Sequence, residues 1–368
     1  VTPRNGRRTI LIAGGGTGGH LTPALAIAAA LEAHGNGLEP VLIGAIRGVE
    51  ARILPTRDFR YHLLPSEPIY RRQWWRNVRW PLLAGRLLRG VDELLRAERP
   101  AAVLGTGGYA SAPVVWRAAH GGLPTAIQEQ NAYPGLATRW LSRRVRHVYL
   151  GLPESRRRLR FGSRTQVFDT GNPIVPPTPE RRPDALKLFG LEPDARVVLV
   201  TGGSQGALAI NRAVAGWLEA GGPSSACVIW VTGRGTYDEF RRFHRPPRIQ
   251  VVDYLDPMAD GYAVADLVIS RAGMMTVAEL CAWGLPSVLI PLPTAAADHQ
   301  THNARVLAEA GASHQLSQAE LTPQALAQAV ERLLSEDATR EAMAKRAKAR
   351  GKPEAAREIV SNLLTLIG

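Results

Sequence analysis

The chain has 368 residues, 45% hydrophobic and 21% charged, with 45 lysines and arginines against 32 acidic residues for a formal charge of +13. That length exceeds what one core usually serves, and the composition is ordinary globular, which excludes a disordered chain and favours two domains. The positive excess gathers at residues 71–89 and 139–164, so an anionic partner is expected, mainly on the N-terminal half.

Residues 9–35, "TILIAGGGTGGHLTPALAIAAALEAHG", run from an apolar strand through a glycine-rich turn into a helix with Ala24, Ile27, Ala28 and Leu31 at helical spacing. The turn lets backbone N–H groups approach a ligand, because glycine has no Cβ; it is either an anion cradle or a tight structural turn. It lacks the lysine of a Walker loop, and Glu39 is the one acidic residue near the place of a dinucleotide-binding carboxylate. His20 closes the turn, either as a hydrogen-bonding residue at a helix start or as a general base that titrates near neutrality.

A strand at 40–44 follows, and then "IYRRQWWRNVRWPLL" (69–83), with three tryptophans, four arginines and no acidic residue. Pro81 suits the first turn of a helix. The segment is read either as a membrane-interface element or as a tryptophan cluster buried between helices with solvated arginines. Strands at 101–108 and 124–129 lead into the glycine turn "GTGGYASAP" and the polar "QEQNAYPG". "GNPIVPPTPERRP" (171–183), with five prolines, reads as the interdomain linker.

Residues 196–222 repeat the opening plan, with "GGSQGA" as the turn and Leu208, Ala215 and Leu218 as the apolar face of the helix. Apolar runs at 227–233, 249–254, 265–273 and 286–293 alternate with helical patterns, and the tail from Thr322 is helical. Such alternation predicts two Rossmann-like, doubly wound α/β domains facing a central cleft, with ligands at the carboxyl ends of the strands. The expected boundaries are 1–172 and 173–344, with a helix at about 345–368 returning to the first domain. Cys227 and Cys281 lack metal-ligand spacing and read as buried reduced thiols of a cytoplasmic protein. No apolar run approaches the ~20 residues of a membrane span, and the first breaks at glycine too soon for a signal peptide.

The densest stretch, 270–304, places Glu279 on a helix after a small-residue turn and Asp298, His299, Gln300 and Asn303 in a polar loop. A carboxylate there can accept both hydroxyls of a ribose, while loop amides read a sugar. With this stretch the chain resembles the MurG family of bacterial N-acetylglucosaminyltransferases. "GGGTGGH", "GTGGYASAP", "EQN", "GNP", "GGSQGA", "RAG", "TVAEL" and "PLPTAAADHQTHNA" match that family in order over nearly the whole length.

The resemblance implies the GT-B architecture and an inverting transfer of GlcNAc from UDP-GlcNAc to the 4-hydroxyl of the MurNAc of lipid I, giving lipid II. It implies no cofactor and no metal. By motif position, Glu279 would take the ribose and Leu255 the uracil, while Ser204, Met274, Met275 and Thr276 would surround the diphosphate. Asn131, His299 and Gln300 would address GlcNAc, with Asn303 shaping their loop. Thr17, Gly18 and Gly19 would complete the donor site, with Thr17 and the candidate base His20 also turned to the acceptor. Implied partners are UDP-GlcNAc, lipid I and an anionic inner-membrane surface met from its cytoplasmic face, with no nucleic acid. Three departures stand out. Val175 replaces an arginine that reaches the donor, leaving Arg271 and then Arg234 as candidate cations; Gln128 replaces a histidine; and His299 stands where some relatives carry glutamine. A nucleotide-sugar 2-epimerase could share the architecture, and a nucleic-acid module could share the charge.

Overall fold

The computed structural model describes residues 8–35, 37–67, 75, 80–203 and 205–368. The chain forms two compact units, one of residues up to Ile174 together with Glu354–Gly368, the other of Val175–Pro353. The first unit contains β1 (Arg8–Gly14), α1 (Gly18–His34), β2 (Leu38–Ala45), α2 (Glu50–Ile53), β3 (Arg60–Leu64), α3 (Trp80–Glu98), β4 (Ala102–Gly107), α4 (Ser111–His120), β5 (Thr125–Glu129), α5 (Leu136–Leu141), β6 (His147–Leu150) and β7 (Gln166–Phe168). The second contains α6 (Arg182–Phe189), β8 (Val197–Thr201), α7 (Leu208–Glu219), β9 (Cys227–Val231), α8 (Tyr237–Phe240), β10 (Ile249–Val252), α9 (Met258–Val264), β11 (Leu267–Ser270), α10 (Met274–Trp283), β12 (Ser287–Leu289), α11 (His299–Glu309), β13 (His314–Gln315), α12 (Pro323–Ser335) and α13 (Asp337–Arg350). A last helix, α14 (Ala355–Ile367), belongs to the first unit.

Every strand pairing within the two sheets is parallel, in the orders β3-β2-β1-β4-β5-β6-β7 and β10-β9-β8-β11-β12-β13. A parallel strand in such a sheet is apolar on both faces, which explains the unbroken runs in the sequence. In β1, Ile10 and Ile12 pack with α1 and α14 through Ile27, Leu31, Ile359 and Leu363, whereas Leu11 and Ala13 join Val91 of α3 and Val114 and Val115 of α4. In the second sheet Val198, Val200 and Trp230 meet Ile210, Val214 and Trp217 of α7 and Val330 and Leu333 of α12.

Several expectations need correction. Of the expected face of α7, Ala215 is buried and Leu218 packs against the core but Leu208 is exposed, and Ile210, Ala213, Val214 and Trp217 carry most of the burial, because the face presented to the sheet is rotated from the one the spacing suggested. Residues 171–174 are no linker. Asn172 is buried, its Nδ2 donating to the Gln130 carbonyl at 3.1 Å and its Oδ1 accepting from Gln128 Nε2 at 2.9 Å, so the first unit runs to Ile174 rather than 172. The return begins at Glu354, not near 345. Helix α13 stays with the second unit, where Lys348 Nζ donates to the Ala282 carbonyl at 2.6 Å at the end of α10. Cys281 is buried but Cys227 only half-buried.

Candidate functional site

In each sheet the strand order reverses beside the central pair, β1 with β4 and β8 with β11, and loops at the carboxyl ends of such strands form the ligand crevice of doubly wound folds. The glycine-rich turns of the first unit follow β1 and β4, and they interlock. Thr106 Oγ1 donates to the His20 carbonyl at 2.8 Å. Gly108, at φ +81°, approaches the Gly15 carbonyl so closely that a Cβ would strike it, and a Cβ at Gly107 would lie 2.6 Å from His20 Cδ2. The imidazole therefore rests on bare backbone.

Thr17 caps α1 and its Oγ1 lies 2.9 Å from His20 Nδ1. When Nδ1–H donates to Thr17, a neutral ring leaves Nε2 unprotonated, which is the tautomer a base requires. Thr17, Gly18 and Gly19 are exposed and His20 is half-buried. The first amides of a helix lack an intrahelical acceptor, so Gly18 and Gly19 can offer theirs to a ligand.

Asn131 is held by Glu129, a residue the reading of the motif overlooked. The buried Glu129 carboxylate accepts from Asn131 N at 3.0 Å, Asn131 Nδ2 at 3.3 Å, Gly135 N at 3.2 Å and the Thr138 hydroxyl. Burial pushes its pKa up and these donors pull against the shift. Gln128 is buried and joined to Gln130 as well as Asn172; Gln130 in turn donates to the Thr106 carbonyl at 2.6 Å. The amide at 128 is thus fully engaged where a histidine was expected.

In the second unit α10 opens after Gly273 with Met274 buried, Met275 and Thr276 half-buried, and no acidic residue in its first turn. Its leading amides and the helix dipole suit an anion. Glu279, half-buried on the same helix, accepts from Tyr262 Oη at 2.9 Å through Oε2. Burial raises the Glu279 pKa and the tyrosine's donation opposes that; the Tyr262 hydroxyl, buried beside a carboxylate, is held well above its ordinary range. Leu255 is half-buried after β10, and the absence of a side chain at Gly261 makes room for it, since a Cβ there would lie 2.8 Å from Leu255 Cδ2. Ser204 lies outside the described residues.

The loop after β12 is braced by the residues expected to read the sugar. Gln300 Oε1 accepts from Leu292 N at 3.0 Å, His299 Nδ1 donates to the Ala296 carbonyl at 2.7 Å, and buried Asn303 donates to the Ala272 carbonyl at 3.2 Å. A neutral His299 therefore turns Nε2 outward as an acceptor. Ala297 and Asp298 both adopt left-handed backbone, φ 53° and 54°, a strain of about 1–2 kcal/mol per residue of the kind that collects at binding sites.

Of the two candidate cations, Arg271 donates Nη1 to the Ile290 and Pro291 carbonyls at 3.2 Å each, tying two loops together, and burial lowers its pKa. Arg234 sits 4.8 Å over the Tyr254 ring, largely in solvent. Val175 is 76% exposed.

Residues 10–150 match the glycosyltransferase family 28 N-terminal domain and residues 197–359 the glycosyltransferase family 28 C-terminal domain. The UDP-N-acetylglucosamine–N-acetylmuramyl-(pentapeptide) pyrophosphoryl-undecaprenol N-acetylglucosamine transferase of Desulforamulus reducens is 37% identical, covering 95% of this chain and 96% of its own. The Moorella thermoacetica enzyme of the same name is 38% identical over 97% and 99%. The crystal structure of Acinetobacter baumannii MurG superposes with a TM-score of 0.77 at 27% identity, covering 98% of this chain and 99% of that one.

Proposed function

This chain belongs to the MurG family of glycosyltransferase family 28, and we propose that it moves GlcNAc from UDP-GlcNAc to the 4-hydroxyl of the MurNAc of lipid I, giving lipid II. What carries the reading is that relatives named for this transfer match the chain almost from end to end. The second unit supplies most of the donor-binding residues: Glu279 accepts the ribose hydroxyls, Leu255 lies against uracil, the start of α10 receives the diphosphate, and His299 and Gln300 address GlcNAc, a role shared by Asn131 of the first unit. Ser204, Thr17, Gly18 and Gly19 complete that set.

The acceptor oxygen attacks the anomeric carbon from the face opposite the leaving group. The bond from that carbon to the β-phosphate oxygen breaks, UDP departs with the electron pair, and the acceptor proton passes to His20 Nε2. Charge grows on the leaving diphosphate as the bond lengthens, and the amides at the start of α10 act where it grows. A correctly placed base supplies ~100- to 10,000-fold.

An anionic membrane surface, met from the cytoplasmic face, belongs to the same proposal because the acceptor carries an undecaprenyl chain. No described helix is long and apolar enough to cross a membrane. Most of 69–79 lies outside the described residues, but Trp75 is exposed. A second surface supports the reading. On α5, Leu136 and Trp140, spaced i and i+4, are 64% and 44% exposed, with Arg144 4.4 Å over the Trp140 ring. Aromatic and basic side chains so placed suit a headgroup layer.

Labelled UDP-GlcNAc incubated with and without a lipid I analogue tests the transfer. UDP release that requires the acceptor is the expected result. Donor conversion at the same rate without acceptor would overturn it in favour of an epimerase or hydrolase.

A further inference from the structure

We propose that Glu50 is a positioning residue for His20, acting through the first glycine-rich turn; the proposal rests on the reading of His20 as the general base. Glu50 begins α2 and is 0% exposed. Its two carboxylate oxygens accept from Gly16 N at 3.0 and 2.9 Å, and Oε1 also accepts from Ala45 N at 2.8 Å. Among the described residues no lysine, arginine or histidine pairs with it. A buried carboxylate without a counter-ion is expensive unless amides satisfy it, so this one marks a specific constraint.

The surrounding backbone is shaped to admit it. A Cβ at Gly15, at Gly44 or at Gly48 would run into the Glu50 side chain. Three glycines, in the turn after β1, the end of β2 and the segment leading to α2, leave the space that the carboxylate fills. Gly16 precedes Thr17, whose Oγ1 meets His20 Nδ1, so the amide that Glu50 anchors lies one residue from the histidine's own partner. From the opposite side Thr106 holds the His20 carbonyl and Gly107 passes under the ring. Glu50 thus fixes one wall of a clamp whose other wall is the β4 turn. It also spends on the chain's own carboxylate an amide that a phosphate cradle would offer to its ligand, which makes this turn a mount for an imidazole.

The experiment measures kcat and the donor KM for Glu50→Gln, Gly48→Ala, His20→Ala and the pair of double variants carrying His20→Ala, with folding checked by circular dichroism and thermal melts. Glu50→Gln puts an NH2 against an amide donor; Gly48→Ala keeps the carboxylate but pushes a methyl into it, and carries the test if the glutamine variant does not fold. Each is expected to lower kcat by roughly 10- to 100-fold with the donor KM within about twofold, since a misplaced base costs the transition state alone. In the His20→Ala background neither should lower kcat further. A folded Glu50→Gln with wild-type kcat, a donor KM rising in step with the loss, or losses that multiply with that of His20→Ala would each overturn the proposal. His20→Ala turning over like wild type sinks the base reading and this proposal together, whereas a slow His20→Ala beside a full-speed Glu50→Gln sinks this proposal alone.

Discussion

The turn after β1 and the turn after β11 each border the strand-order reversal of their own sheet, on opposite sides of it, and each opens a helix, yet they are chemically opposite. Beneath the first lies a buried carboxylate that takes the Gly16 amide, and its helix presents a histidine. The second has no acidic residue in the first turn of its helix, and its carboxylate, Glu279, sits further along where Tyr262 holds it. A small-residue turn after a parallel strand makes an anion site only when the chain has not already supplied the anion. Composition of the turn does not separate the two; the nearest buried charge does.

The comparison breaks most visibly at His20. His20→Ala should lower kcat by ~100- to 10,000-fold while UDP affinity stays near wild type, measured by steady-state kinetics and UDP titration. A parallel loss of both would mean that His20 itself holds the donor, beside Thr17, Gly18 and Gly19, and is not the base alone. At the second turn, Glu279→Ala should weaken UDP by about 1.5–3 kcal/mol for each lost bond. There is a pH signature as well. Binding to ribose hydroxyls needs the ionised carboxylate, and the Glu279 pKa is raised, so UDP affinity should fall as pH drops, beginning above the usual carboxylate range. Glu279→Gln should flatten that limb in calorimetric titrations.

Tyr262→Phe sharpens the same contrast on a smaller scale. Loss of a hydrogen bond to a charged group should cost about 1.5 kcal/mol of UDP affinity. Because that bond favours the ionised form, its removal should shift the acid limb to higher pH; an unshifted limb would assign the titration elsewhere. The smallest effect is expected on α5 of the first unit. Arg144→Ser should reduce co-sedimentation with anionic liposomes about fivefold at low salt, and Trp140→Ser should lower it further, with neither changing UDP binding. Equal sedimentation by a folded double variant would remove this face from the membrane reading.

Repetition made the plan of both units legible: apolar strand, glycine turn and helix recur at 9–35 and 196–222, and buried parallel strands announce themselves as unbroken apolar runs. Strands β3, β6, β7 and β13 went unread because they are short or lie at sheet edges, where "RYHLL", "QVF" and "HQ" need not be apolar. At the site, the motif residues were legible and their supports were not. Glu50 and Glu129 look like surface acids in a sequence, since burial of a charge is invisible until its amide donors are in place; Gly44 and Gly48, both shortly before Glu50, were the available sign. The prolines at 173–183 spoke for a linker, but a satisfied asparagine outweighed them at 172.

The return of α14 to the first unit also bears on the order in which this protein can be completed. Ile359, Val360 and Leu363 are fully buried against the β1 and α1 side of that unit, each contributing about 1.5–3 kcal/mol of burial, and the whole second unit intervenes between them and Ile174. On the ribosome the half that begins first is therefore finished last: Ile10, Ile12, Ile27 and Leu31 await a cover that emerges only after residue 353. Released chains truncated at Pro353 should show the second unit protected from limited proteolysis while α1 is still cut.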